Sequence, residues 1–143
     1  LLLFATILFM EEARFDISAR AENLIKIRDF VRGYIDKCEG IETYKDEIVL
    51  AIDEACQNVV RHAYKDKEGN VAVKLSFQND EFIVSIEDDG KPVIPEKIKP
   101  RNIDDIKPGG LGTFFINQIM DSVSFQLSTP HWVNCLTMKK KIK

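Results

Sequence analysis

Apolar and polar residues alternate over residues 14–18 (RFDIS), the period of a strand with one covered face. The period then lengthens. Leu24, Ile27, Val31 and Ile35 recur at three- and four-residue steps and predict an amphipathic helix. Ser18 is its expected N-cap, Glu22 lies in its first turn, and Gly40 ends the segment. Thr43, followed by Asp46 and Glu47, predicts a second helix start, and the apolar row Ile48, Ile52, Ala55, Val59 and Ala63 carries that helix over about residues 44–64. After a turn at Glu68-Gly69-Asn70, residues 71–77 (VAVKLSF) alternate. Asn79-Asp80 predicts a tight turn and residues 82–86 alternate again, which reads as a hairpin.

From Asp88 to Gly110 no period survives. Pro92, Pro95, Pro100 and Pro108 are four of the chain's five prolines, and a loop of about twenty residues inside a compact domain is functional or disordered. Helix returns over residues 111–120, with Phe115 and Ile119 one turn apart, and residues 123–127 and 133–138 predict a closing pair of strands. The order is β-α-α-β-β-loop-α-β-β, with no internal repeat and no domain boundary. It predicts an α+β two-layer sandwich with the helices on one face of the sheet.

Composition narrows the function classes. The chain has 143 residues, 45% hydrophobic and 30% charged, which suits one soluble globular domain. A net charge of −3, from 20 Lys+Arg against 23 Asp+Glu, argues against a dedicated nucleic-acid binder but leaves room for a small anion at a local site. Cys38, Cys56 and Cys135 lack short spacing and the only histidines are His62 and His131, so neither a disulfide framework nor a zinc site is expected. Reduced thiols in a cytoplasmic protein are the simplest expectation. Leu1 to Phe9 (LLLFATILF) is apolar except for Thr6, but a bilayer-spanning helix needs about 20 residues, and no basic region marks a signal peptide. Met10-Glu11-Glu12 reads as a natural start. Residues 1–11 are therefore read as an apolar extension (a remnant, a translated upstream region or the end of a longer protein) ahead of a domain over 12–143. The lysines at 139, 140, 141 and 143 form a solvated basic tail.

Three local patterns offer chemistry. Glu54, Asn58 and His62 stand four residues apart, one polar row beside the apolar row of the long helix. A carboxylate one turn from a carboxamide suits hydrated Mg²⁺, which keeps most of its waters and takes one or two protein oxygens plus phosphates; an ordinary solvated helix face has the same look. Glu87-Asp88-Asp89-Gly90 ends the hairpin, where a carboxylate can accept from an exocyclic amine and glycine admits a flat ring; a plain acidic turn is the alternative. Gly109-Gly110-Leu111-Gly112 opens the third helix and offers free N–H groups and a favourable dipole to a phosphate, or else is a flexible junction. It is neither a P-loop nor a dinucleotide fingerprint.

The order of these patterns, with a long loop between the second and third, resembles that of the GHKL (Bergerat-fold) ATPases. AIDEACQNVVRHAY, residues 51–64, resembles their N box; EDDG, residues 87–90, their first Gly box; and GGLGTFFINQIMD, residues 109–121, their second. Within that superfamily the chain is most similar to the bacterial anti-sigma factor serine/threonine kinases, a likeness that includes RFDIS…RDFVRGYI and the closing NCLTMKK and covers about residues 12–141.

The resemblance implies a mixed, mostly antiparallel sheet with three main helices on one face. It implies a kinase that uses ATP and Mg²⁺, phosphorylates an anti-anti-sigma protein, sequesters a sigma factor or similar regulator, and forms a homodimer, without direct nucleic-acid or membrane contact. Asn58 would contact Mg²⁺ and the phosphates, and Glu54 would be the general base or would position a water or the substrate hydroxyl. Asp88 would bind the adenine amino group and Gly90 would let the ring approach. Lys107, Gly109, Gly110, Leu111, Gly112 and Thr113 would complete the nucleotide site, under a lid formed by residues 91–108. That lid carries Lys91, Lys97, Lys99, Arg101 and Lys107 against Glu96, Asp104 and Asp105, a surplus suited to a triphosphate. Two departures stand out. Pro92 replaces the second glycine of the first Gly box. Lys107-Pro108 stands where kinases of the group have Arg, which touches phosphoryl transfer more than ATP binding because Lys offers a point charge instead of a bidentate fork. A nucleotide-regulated binding module that transfers nothing is therefore the rival, and a domain cut from a larger regulator is a third reading. The chain has no room for a dimerisation helix and phospho-acceptor His, so His62 is read as capping or packing, and Cys56 as core.

Overall fold

A computed structural model describes residues 9–64, 67–92, 111–127 and 132–142. The elements are β1 (Phe9–Ser18), α1 (Leu24–Ile35), α2 (Lys45–Asn58), β2 (Asn70–Gln78), β3 (Glu81–Asp88), α3 (Leu111–Ile119), β4 (Ser122–Leu127) and β5 (Asn134–Lys141). The strands form one sheet of five in the order β1-β2-β3-β5-β4. Each pairing is antiparallel, so the expected two-layer α+β fold holds while the sheet is not mixed.

The hairpin forms where alternation predicts it. Phe77 pairs with Phe82, and the two loop residues, Asn79 at φ 53° and Asp80 at φ 62°, take the left-handed backbone that a two-residue hairpin turn needs. The period of two places Val71, Val73, Leu75 and Phe77 of β2 and Phe82, Val84 and Ile86 of β3 on the helix side, all buried. The helices answer with Ile27, Val31, Tyr34 and Ile35 from α1, Ile48, Ile52, Ala55 and Cys56 from α2, and Ile116 from α3. Phe15 stacks on Phe30 at 5.1 Å, which ties β1 to α1. β1 starts at Phe9, inside the stretch read as an extension, and reaches that far through a register shift between Met10 and Ala13.

Both helix starts differ from expectation. Ser18 does not cap α1: a 3-10 turn at Ala21–Asn23 intervenes, and the buried Asn23 donates to the Ser18 carbonyl at 3.0 Å and to its Oγ at 2.8 Å. Thr43 does not cap α2 either, because a second 3-10 turn, Glu42–Tyr44, leads into it without a side-chain cap. Asp46 and Glu47 still sit in the first turn of α2, where the helix dipole favours carboxylates. Gly40 ends the α1 segment at φ +87°, a conformation that suits glycine. The largest departure is at the far end of α2. The helix does not run regularly to Tyr64; after Asn58 it widens into a π turn over Val59–Ala63. No helix among the described residues is long and apolar enough to cross a membrane.

Candidate functional site

The end of α2 and the end of β3 meet at this π turn. A π turn shifts the hydrogen-bonding register by one residue, and such bulges recur at functional sites. Here the carbonyl of Ala63, its last residue, accepts from the Lys91 N–H at 2.6 Å. Gly90 crosses so near that an added Cβ would lie 2.2 Å from the same carbonyl oxygen. The close approach that requires glycine at this position is therefore to Ala63. The next side chain, Tyr64, completes the junction: its hydroxyl donates to the Asn70 carbonyl at 2.5 Å and accepts from the Asp89 N–H at 2.9 Å. Its ring fills the space a side chain at Gly69 would need.

Asp88 lies on the helix-facing side of β3, in line with Ile86 and Val84, and is 4% exposed. Its Oδ1 accepts from the Gly90 N–H at 2.8 Å and from Asn134 Nδ2 at 2.8 Å. Burial pushes the Asp88 carboxyl above its ordinary value; these two donors pull it back, and neighbouring Asp89 adds to the rise. Oδ2 makes no hydrogen bond among the described residues, and no buried polar side-chain atom there lacks a partner, so Oδ2 is open to a donor from outside the chain. An acceptor-only oxygen on a largely buried carboxylate fits an exocyclic amine.

Two adjacent carboxylates on α2 have different surroundings. Asp53 accepts from Arg28 of α1 at 2.8 Å and from Gln57 at 2.7 Å, and Gln57 in turn accepts from Arg61 at 2.7 Å. That chain braces α2 against α1 and commits Asp53 to structure. The side chains of Glu54 and Asn58, one turn apart on half-buried positions, make no hydrogen bond or ion pair among the described residues. Their donor set, one carboxylate and one carboxamide oxygen, fits Mg²⁺ that keeps most of its waters and is shared with phosphates. His62 falls in the π turn and is exposed, so the row of three expected from a regular helix ends at Asn58. Cys56 is core, as expected, and burial raises its thiol strongly. Among the described residues no cluster of His, Cys, Asp and Glu is arranged to hold a metal by itself.

The third pattern is covered only in part. Lys107, Gly109 and Gly110 lie outside the described residues, as do residues 93–108 of the expected lid. Leu111, Gly112 and Thr113 form the opening turn of α3, which packs beside α2. Sequence reasoning missed Asn134 and Tyr64 as parts of this junction. The signal for Asn134 was available: it is a polar residue in strand register with Leu136 and Met138, on the side of β5 that meets the core, directly opposite Asp88.

A family model for the histidine kinase-like ATPase domain matches residues 17–140. The chain belongs to that family. Its relatives include proteins named serine-protein kinase RsbW. That of Bacillus thuringiensis subsp. konkukian (strain 97-27) is 28% identical over 121 residues, 79% of this chain and 76% of the relative. That of Bacillus mycoides (strain KBAB4) is 27% identical with the same coverage. The fold of this histidine kinase-like ATPase also matches solved structures. The RsbU and RsbW domains of a Mycobacterium tuberculosis protein superpose with a TM-score of 0.68 at 14% identity, covering 92% of this chain and 32% of that one. The histidine kinase domain of a blue-light activated kinase from Erythrobacter litoralis EL346 gives 0.53 at 17% identity, covering 85% and 60%. The chain thus spans about a third of the first solved protein it resembles.

Proposed function

We propose that this histidine kinase-like ATPase is an ATP-dependent protein serine/threonine kinase and anti-sigma factor, which phosphorylates an anti-anti-sigma partner and sequesters a sigma factor or similar regulator. The observation that carries the nucleotide reading is Asp88, a buried carboxylate with one oxygen held by two donors and the other without a partner among the described residues. The kinase reading rests on relatives of that name matched over three-quarters of their length. In this reading Asp88 Oδ2 accepts from the adenine amino group. Asn58 Oδ1 would hold Mg²⁺, which when bound would neutralise charge on the phosphates. Glu54, which has no side-chain partner among the described residues while Asp53 beside it is committed, takes the proton from the partner's Ser or Thr hydroxyl as that oxygen attacks the γ-phosphorus and ADP leaves in line. Backbone N–H groups of Gly110 and Gly112 would bind the phosphates, with Lys107, Gly109, Leu111 and Thr113 completing the nucleotide site. The protein acts in the cytoplasm as a homodimer.

One observation favours a second reading. Lys107-Pro108 replaces the arginine of well-studied kinases of the group, so a module that binds ATP or ADP as a conformational ligand is the alternative. Incubation with γ-labelled ATP, Mg²⁺ and an anti-anti-sigma protein separates the two. Label on a Ser or Thr of the partner supports the kinase; bound nucleotide with no label on any partner supports the module.

A further inference from the structure

Asn134 is 1% exposed and joins three segments of the chain. One Nδ2 hydrogen goes to Asp88 Oδ1 at 2.8 Å, and the same nitrogen reaches the Lys91 carbonyl at 3.0 Å. Lys91 is itself tied through its N–H to Ala63 at the end of the π turn. The first residue beyond the acidic turn is thus held on one side by α2 and on the other by the side chain that holds the buried carboxylate. A carboxamide meets this demand well. It supplies two hydrogens from one nitrogen and carries no charge, so it grips Asp88 without neutralising it and leaves Oδ2 open.

We infer that Asn134 is a positioning residue: it fixes the Asp88 carboxylate with Oδ2 presented to the base and couples that carboxylate to the backbone at Lys91. The inference rests on the reading that Asp88 receives the base, and it assigns to β5 a part in base recognition.

The physical consequence is readable. Of the groups around Asp88, Asp89 beside it disfavours its charge, and Tyr64, just after the π turn, is a neutral phenol whose own ionisation burial opposes. Val71, its partner on β2, is apolar, and Glu87 is engaged with Arg14 at 3.1 Å. The donors to the ionised form are Gly90 N–H and Asn134. Removing Asn134 leaves one donor among the described residues, so the carboxyl must hold its proton to higher pH.

The test compares the parent with Asn134→Ala and Asn134→Ser, the latter keeping one short donor. In the nucleotide-free protein, the Asp88 carboxyl is titrated by carbon-13 NMR, assigned through Asp88→Asn. ATP–Mg²⁺ affinity is then measured by calorimetry from acid to neutral pH. Asn134→Ala should raise the Asp88 midpoint by about one pH unit, shift the acid limb of ATP binding upward by the same amount, and weaken binding about tenfold at neutral pH. Asn134→Ser should fall between the two. A loss of affinity equal at every pH, with the Asp88 midpoint unmoved, would overturn the inference and leave Asn134 as packing. So would unchanged affinity and unchanged midpoint. If Asn134→Ala does not fold, Asn134→Ser alone decides by the same two readouts. Failure of the parent to bind ATP would count against the proposed function, while the nucleotide-free titration would still decide whether Asn134 holds Asp88.

Discussion

Replacing Gly90 with alanine tests whether the N-box helix and the acidic turn are locked together by direct backbone packing. The new Cβ would sit 2.2 Å from the Ala63 carbonyl oxygen and 2.5 Å from both the Ala63 carbonyl carbon and its Cβ. Real contacts of this kind are essentially never below 3.0 Å, so one strand of chain must retreat by about 0.8 Å. That is too far for the 2.6 Å bond from Lys91 N–H to Ala63 to survive unaltered. Overpacking of this kind costs about 1–3 kcal/mol and a lost backbone hydrogen bond about 1 kcal/mol. The reduced freedom of the unfolded chain returns about 0.4–1 kcal/mol. The net loss is about 1–3.5 kcal/mol, against the roughly 5–15 kcal/mol that holds a domain together. Urea unfolding followed by circular dichroism should show that loss, with the melting temperature down by roughly 5–10 °C. Saturating ATP–Mg²⁺ should still raise the stability of the variant, because ligand linkage adds to whatever folded state remains. A variant within about 0.5 kcal/mol of the parent would refute the packing argument. Unaltered stability combined with lost ATP binding would assign the glycine wholly to the ligand.

Asp88→Asn should weaken ATP binding by about 1–3 kcal/mol in calorimetry, the scale of one buried polar partner lost. Because the folded Asp88 carboxyl is raised, its contribution to stability is fully present below the ordinary aspartate value and is lost as pH rises through the folded value. The stability advantage of Asp88→Asn over the parent should therefore grow from acid to neutral pH, and a constant difference in urea titrations would contradict this. Asn58→Ala should weaken ATP binding more with Mg²⁺ than without it, and an equal loss in both titrations would remove Asn58 from the ion. Glu54→Gln should lower phosphoryl transfer on the order of 10²–10⁴-fold while ATP affinity hardly moves; parallel loss of binding and turnover would make Glu54 structural. Burial pushes the Cys38 thiol up to about 11 and holds Cys56 higher still, so a thiol reagent at neutral pH should label neither until the domain unfolds. Prompt labelling of the native protein at either residue would contradict the described core.

The hairpin was the most legible part of the chain, since strict alternation over β2 and β3 and the Asn79-Asp80 pair report the same local physics that forms it. Helices α1 and α2 were legible from their apolar rows. Their starts were not. Ser18 and Thr43 carry cap signals, yet 3-10 turns displace the helix starts, and Asn23 takes Ser18 as its own partner. The π turn left no trace, because Val59 and Ala63 continue the helical period, and the residues that meet it, Gly90 and Lys91, come from a segment far along the chain. Asp88 and Gly90 were found as a motif, but the clasp by Asn134 depends on β5 entering the sheet between β3 and β4, a strand order that no local pattern encodes. Glu54 and Asp53 look alike in sequence; only the bond from Arg28 shows which of them is already engaged.

The central claim is that nucleotide binds where the end of α2, the acidic turn and the start of β5 meet. Titration of ATP–Mg²⁺ into nitrogen-15-labelled protein, read as amide shifts along the chain, tests it most directly. The account predicts that the largest changes fall at Asn58 to Ala63, at Asp88 to Lys91 and at Asn134, and that Asp88→Asn weakens the response at all three together. Shifts confined to the exposed edge strand β4 or to the opposite face of the sheet, or none at saturating nucleotide, would contradict it.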